Sequence, residues 1–486
     1  MAVDKTNSVL VIGGGMGGLF VGAILSCAGH TVTVLEKNAI IGGGLQSFKR
    51  QGVWFNTGMH NFGGFGEKWA LSHLFRYFGI KDDLHVMEVD ETAQEIVWTD
   101  SEHCYRLPRG REQFEHYLAT LFPAQANGLR QYLDALYVIA NSFDLYCLRR
   151  PNAHPESAAF ENMSVGQLLR QYIDDEELIR VLSYMTPLCG HSIDEVPSSV
   201  HSMLSVLYLD GEYRFVDNAL QLAHALKAVI ERHGGQVVNN AEVTCVRVSD
   251  AHVESVQTVD GMEWKADKYV ASIAPKVLFS LLTEDVVRKV SRKRAEEYMV
   301  DSSALSIYVK LKEESFRFIN STVFVPVKQS DSSLPPYILI TTPPTHDQGE
   351  WAHTMEILVP CRYTAFSQWE GTQFGERPQD YEDYKNALAQ ETIEHVSQYY
   401  DIREAIDRIY TASPLTIRDF YYSPNGALFS QQGLFMPLRT RTDNLFLTGQ
   451  SILFHGMCGV PLTAILTAEA LSGKDILTDI IQASKQ

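Results

Sequence analysis

Hydrophobic and polar positions change period several times along this chain, and each change predicts an element. Ser8 to Ile12 is a short run rich in Val and Ile, which predicts a buried strand. Gly13-Gly-Gly-Met-Gly-Gly18 follows as a turn. Leu19 to Ala28 then predicts a helix, with Gly29-His30 as its stop. Thr31 to Leu35 is β-branched and predicts a second strand, ending at Glu36. Together these pieces make one βαβ unit in the roughly 30 residues such a unit needs.

A second Gly-rich turn, Gly42-Gly43-Gly44, comes next, followed by polar and aromatic sequence through His60. From Trp69 to Leu182 the spacing predicts mostly helices. The clearest is Gln125 to Tyr146, where Leu129, Tyr132, Leu133, Leu136 and Ile139 share one face, a stripe that packs on the protein's own core. Ala219 to His233 predicts another amphipathic helix, stopped by Gly234-Gly235. Strands are predicted at Gln236 to Val238, Val243 to Val248 and Ala266 to Ile273. A strand-like pattern fills Asp301 to Pro360, and helix returns at Tyr381 to Tyr400. Asn444 to Thr448 predicts a last buried strand. Pro461 to Leu471 predicts a last helix, with proline at its well-tolerated first position. The βαβ pieces thus recur near the start, middle and end, which implies two discontinuous domains with several crossings between them.

Composition narrows the function classes. A chain of 486 residues suits two intertwined domains with a large buried core. The formal net charge of -18, without any long Lys/Arg block, excludes binding to nucleic acid by phosphate neutralisation and disfavours anionic lipid. The cysteine count is seven, odd, with no C-x-x-C, so neither a disulfide framework nor a metal site is expected and a reducing cytoplasm is the simplest setting. The apolar stretch Val9 to Leu35 has the position of a signal peptide, but its many glycines belong to a strand-to-helix junction.

The first turn carries chemistry. Gly13-x-Gly15-x-x-Gly18 is the dinucleotide fingerprint: Gly13 allows the turn, Gly15 lets backbone approach a pyrophosphate, and Gly18 lets helix and strand pack closely. Met16 and Gly17 belong to the same set, since the helix N-terminus offers free N–H groups and a positive dipole end. Glu36, eighteen residues past Gly18, can accept from ribose hydroxyls and would repel a 2′-phosphate. No second G-x-G-x-x-G appears, so a separate NAD(P) site is not indicated.

At the second turn the chain resembles the flavoprotein superfamily of amine oxidases, phytoene desaturases and their relatives. The superfamily pattern E-x-x-x-x-x-G-G-x-x-x-S is met by Glu36, Gly42, Gly43 and Ser47. Gly44 stands where many amine oxidases have Arg. The resemblance implies FAD, held by the first turn and by Glu36, Lys37, Gly42, Gly43, Gly44 and Leu45. It also implies backbone contact of Val243 with adenine, and contacts of Gly449, Gln450, Gly459 and Val460 with the flavin end. Asn444-Leu-Phe-Leu-Thr-Gly-Gln450 would run past the ribityl chain, and the last helix would point at the flavin pyrimidine, where its dipole favours negative charge.

Within the superfamily the chain is similar to the branch of carotenoid isomerases, phytoene desaturase-like proteins and retinol saturases. Phe55-Asn-Thr-Gly-Met-His60 resembles its F-D-T-G-x-H segment with Asn56 for Asp, Gly211-Glu-Tyr-Arg-Phe215 its G-G-Y-Y-P stretch, and Leu447-Thr-Gly-Gln450 its C-terminal motif. Where that branch continues K-G-G-S, this chain has Val216-Asp-Asn-Ala219. The implied fold is α/β: a Rossmann-like FAD-binding domain (1–65, 205–285 and 415–486) interleaved with a mixed α+β substrate domain (66–204 and 286–414), a helical cap plus antiparallel sheet. The implied activity is that of an FAD-dependent oxidoreductase on C=C bonds of a long apolar polyene or isoprenoid, with hydride transfer at flavin N5 and an electron donor or acceptor left open. His60 and His455 are the candidate proton donors or positioning groups, because both motifs approach the flavin in the family and histidine donates near neutral pH; each also reads as a hydrogen-bonded structural residue. A redox-neutral polyene isomerase, a flavin amine oxidase and a non-catalytic flavoprotein with an apolar ligand remain as alternatives. An apolar small-molecule substrate implies peripheral membrane contact of an otherwise cytoplasmic protein.

Overall fold

In the computed structural model β1 (Ser8–Ile12) lies at the centre of a five-stranded parallel sheet. The structure describes residues 8–97, 104–160, 162–186, 192–283, 286–297, 302–327, 334–428 and 436–483; the expected strand start at Asp301 lies outside them. β1 pairs on one side with β2 (Thr31–Leu35), which pairs with Gln236–Val238, and on the other with Lys268–Ala271, which pairs with Leu445–Leu447. Five short Val- and Leu-rich segments, brought from the start, middle and end of the chain, therefore form one sheet buried on both faces, as parallel sheets require. α1 (Met16–Cys27) crosses from β1 to β2, and helices Leu220–Arg232 and Gly456–Ser472 pack in the same apolar cluster. α1 starts three residues earlier than its pattern suggested, because Met16, Gly17 and Gly18 already have helical geometry.

The second body is a seven-stranded sheet. Its order is Ile406–Ala412, Ser302–Leu311, Thr354–Arg362, Tyr337–Thr341, Thr322–Pro326, Thr92–Val97 and Cys104–Pro108. Neighbours run antiparallel except Thr322–Pro326 with Thr92–Val97. Side chains alternate across it. Met355, Ile357 and Val359 face helix Gln379–Val396 through Ala389, Ile393 and Val396, while Phe324 and Leu339 on the other face join the core of a helical cap built from Ala126–Asn141, Val165–Tyr172 and Ser198–Leu209.

Three sequence expectations need correction. The mostly helical stretch from Trp69 to Leu182 also holds strands the pattern did not show: Val86–Glu88, and Thr92–Val97 and Cys104–Pro108 toward one edge of the large sheet. The helix expected over 125–146 ends at Asn141, where Ser142 Oγ donates to the Ile139 carbonyl, and a separate 3-10 turn covers Asp144–Cys147. The last helix begins at Gly456, so Pro461 lies inside it rather than at its first position. Packing also crosses the expected domain boundaries: Leu71, Leu74 and Phe75 of helix Ala70–Phe78 join the core around α1, and Val286, Val287 and Ala295 join the cluster under β1.

Candidate functional site

The two Gly-rich turns and the start of the last helix meet above the cap-side face of the seven-stranded sheet. Between them lies a cavity of about 760 Å³, lined by Gly15, Met16, Gly17, Gly43, Gly44, Leu45, Gly449, Gln450 and Val460 together with His60 and His455. The fold thus brings together residues 15 and 460 because β1 and the last strand, Leu445–Leu447, lie in one parallel sheet with only Lys268–Ala271 between them.

The turn after β1 is tight. Gly13 has φ 100, a region that side chains other than glycine rarely adopt. Gly15 caps α1 without a side-chain hydrogen bond, so the first N–H groups of the helix, from Met16, Gly17 and Gly18, have no acceptor within it and suit a phosphate. A Cβ at Gly17 would sit 2.7 Å from Ser272 Oγ and 2.9 Å from Gly449 Cα, and one at Gly43 would sit 3.2 Å from Gly15 Cα. Three backbone segments therefore converge with room for hydrogen only, which makes a cradle for a slender, phosphate-bearing ligand. These features fit FAD.

Glu36 ends β2 and is buried. Its Oε2 accepts from the Gly14 N–H and its Oε1 from the Asn38 N–H, both at 2.8 Å. Burial pushes the carboxyl up, against these bonds and the nearby Lys37. Each oxygen keeps a lone pair that a ribose hydroxyl could use. Gly13, Gly18 and Gly42 stand behind the cavity wall: a Cβ at Gly18 would collide with the Gly13 carbonyl, and the Gly42 N–H donates to the Gly14 carbonyl at 2.8 Å. Lys37 is turned aside. Its Nζ donates to the Asp419 carbonyl at 2.9 Å and lies 3.8 Å from the centre of the Tyr422 ring. Val243 opens the strand Val243–Ser249, two residues after Ala241, whose N–H donates to the Glu36 carbonyl. Gly459 lies within the last helix against Phe454 and Tyr146, outside the lining. At Gly44 a Cβ meets nothing within 4 Å, so this glycine leaves that side of the cavity open.

The two histidines sit in different surroundings. His455 caps the helix Gly456–Ser472, and burial pushes it down. The positive end of the helix dipole disfavours its imidazolium further. Cys458, in the first turn of that helix, donates from Sγ to the Gly63 carbonyl at 3.2 Å; burial pushes the thiol up to about 12, so it stays protonated. His60 instead faces a carboxylate. Its Nδ1 lies 2.6 Å from Oε2 of Glu356, a buried residue in the middle of strand Thr354–Arg362, and Glu356 Oε1 accepts the Asn56 N–H at 2.6 Å. Asn56 is held in turn: its Oδ1 accepts from Ser47 Oγ at 2.9 Å and from the Ala219 N–H at 3.0 Å.

Sequence reasoning did not find Glu356. A signal was there, a carboxylate in the otherwise apolar run Thr354-Met-Glu-Ile-Leu-Val359, because an ionised side chain is rarely buried in a strand without a partner. Strand register extends the pattern. Thr322 pairs with Gln94, and Glu356 pairs with both Thr341 and Tyr308, which makes a polar row across the cavity face. The next row on that face, Ile96, Phe324, Leu339 and Leu358, is apolar. The cavity thus has an apolar floor with one polar edge. Among the described residues no Lys or Arg lines it.

Residues 16–303 match the family described as flavin containing amine oxidoreductase. The all-trans-retinol 13,14-reductase of Rattus norvegicus is 24% identical over 98% of this chain and 88% of its own length. The 4,4'-diapophytoene desaturase (4,4'-diaponeurosporene-forming) of Staphylococcus haemolyticus is 21% identical over 97% of this chain and 99% of its own. The crystal structure of an oxidoreductase from Methanosarcina mazei shares the fold, with a TM-score of 0.62 at 16% identity over 96% of this chain and 100% of that one. The cradle fits FAD and the family match spans more than half of the chain: this protein belongs to the flavin containing amine oxidoreductase family and is an FAD-dependent oxidoreductase.

Proposed function

We propose that this enzyme acts on a C=C bond of a long apolar polyene or isoprenoid, in the direction of reduction. The observation that carries the reading is the cavity, whose apolar row Phe324, Leu339 and Leu358 lies opposite Met203, Leu204 and Leu207 of the cap helix. An apolar cavity suits a conjugated chain, and among the described residues no Lys or Arg lines it to meet a substrate carboxylate or phosphate. Bound FAD supplies the hydride through flavin N5. The chain's own residues hold the substrate against that position, exclude water, and provide one proton donor, for which His60 and His455 are the candidates. The cradle residues 13–18, Glu36, 42–45, 449–450 and 460 would hold the cofactor.

Relatives over nearly the full length favour this class, being named all-trans-retinol 13,14-reductase and 4,4'-diapophytoene desaturase. Gly44, standing where many amine oxidases have Arg, argues against a site built to orient a primary amine. The test is an electron balance. Holoenzyme is incubated anaerobically with a dithionite-reduced mediator and a defined polyene, and product mass is read against reductant consumed. A product two mass units heavier per two electrons supports reduction. An equal-mass product without net electron consumption establishes a redox-neutral isomerase instead, and peroxide formed from amines in air establishes an amine oxidase.

A further inference from the structure

We propose that Glu356 is a positioning residue that sets His60 as the proton carrier of this reaction, so that the two act as one dyad at the polar edge of the cavity. The inference rests on the C=C reading above and adds to it a residue that neither the sequence motifs nor the comparisons assign.

The geometry carries it. The Glu356 carboxylate is acceptor-only, with one oxygen on the Asn56 N–H and the other 2.6 Å from His60 Nδ1. His60 Nδ1 therefore bears the hydrogen, and the ring is fixed in one tautomer and one orientation. Nε2 is then the atom left for the cavity, which His60 lines, and the side chain has no second protein partner among the described residues. Glu356 itself cannot swing: it lies mid-strand, its backbone registered with Thr341 and Tyr308, and only 2% of its side-chain surface is exposed.

The step balances as follows. Reduced FAD, held by the cradle, would supply a hydride, carrying two electrons, to one carbon of the double bond. His60, when it carries a proton on both ring nitrogens, gives the Nε2 proton to the neighbouring carbon and keeps Nδ1–H on Glu356. The π bond breaks, two C–H bonds form, and the imidazole left behind regains a proton from solvent. The reductant that reloads FAD is a two-electron donor, dithionite in the assay below.

Other charged or titratable groups surround the dyad. Arg214 is fully buried and feels Glu356; Tyr308 and Tyr421 face Glu356, and burial pushes Tyr421 up to about 12 and Tyr308 higher still. Glu212, which accepts from Asn61, Gln94 and Thr322, is raised by burial. His455 lines the same cavity. All of them are common to native and variant enzyme, so a difference between the two reads Glu356.

The experiment uses reduced holoenzyme mixed anaerobically with retinol or a C30–C40 carotenoid and follows reappearance of the oxidised flavin band against pH. Glu356→Gln is expected to slow polyene-driven reoxidation by about 100-fold with KM within about twofold, and to leave reoxidation by ferricyanide unchanged. The limb where the rate falls as pH rises is displaced in Glu356→Gln, because the partner that fixes the His60 ring is changed. Glu356→Asp recovers part of the rate. His60→Gln abolishes the limb, and the double variant is no slower than His60→Gln alone, as expected of groups acting as a unit. Should Glu356→Gln lose FAD, His60→Gln carries the test through the same limb. Native rate and native pH limb in a flavin-replete Glu356→Gln enzyme would overturn the dyad while leaving the C=C reading intact. Native enzyme that no polyene reoxidises overturns both.

Discussion

At the scale of single residues, the cofactor cradle is held open by missing atoms. A Cβ at Gly17 meets Ser272 Oγ and Gly449 Cα at 2.7 and 2.9 Å, and the neighbours are strand ends that cannot retreat. Gly17→Val is therefore expected to purify with less than about a tenth of the native flavin absorbance per protein, a loss worth about 1.4 kcal/mol or more in binding. A second residue, His201, ties the cap together. It is buried against Tyr132, whose hydroxyl lies 2.7 Å from Nε2, and burial pushes it down to about 4. A histidine lowered on folding contributes stability that is present above its unfolded value near 6.5 and is lost as pH falls toward about 4. Thermal midpoints measured across that window should fall less steeply for His201→Gln than for native protein, although the variant is less stable at pH 8 through the lost Tyr132 contact. Parallel pH slopes would contradict this. Gly13, Gly15, Gly18 and Glu36 were legible in the sequence because their geometry is local, a turn and the strand that follows it. Glu356 was not, because its partner His60 lies 296 positions away and only the sheet register brings them together.

Elements were legible where one period ran long enough. β1, β2 and the helix Leu220–Arg232 match the pattern to within a residue or two. Thr92–Val97 and Cys104–Pro108 escaped because they are short and lie within a helix-rich stretch. The last helix was misplaced because proline usually opens a helix. Here Pro461 sits one turn further in and forgoes the hydrogen bond that its N–H would have made to the Met457 carbonyl. That earlier start puts Gly456, Met457 and Cys458, with the open N–H groups of the first turn, on the cavity. The cap helix Ser198–Leu209 presents Leu204 to the same cavity. Leu204→Glu is expected to keep its FAD and lose about 100-fold in kcat/KM for an apolar polyene, since burying an unpaired carboxylate against the substrate costs about 3 kcal/mol. Loss of flavin along with turnover would show that this helix serves the cofactor rather than the substrate.

At the scale of the molecule, two sheets with different packing share the work. The parallel sheet, buried on both faces, collects three distant stretches of chain and aims its turns at one point. The antiparallel sheet keeps one face for its own helix and lends the other to the cavity. Alternation along its strands then sorts polar from apolar rows without any loop being involved. The distribution of charge agrees with an uncharged substrate: the chain carries -18 overall, yet no described Lys or Arg lines the cavity. No described helix is long and apolar enough to cross a membrane. The central claim, that a bound flavin exchanges electrons with a C=C bond, is tested most directly by the visible spectrum of anaerobic, dithionite-reduced holoenzyme on addition of a pure polyene. The account predicts that the oxidised flavin band returns in step with loss of one conjugated double bond from the polyene spectrum. A flavin that stays reduced beside every polyene, yet is reoxidised at once by ferricyanide, would contradict it.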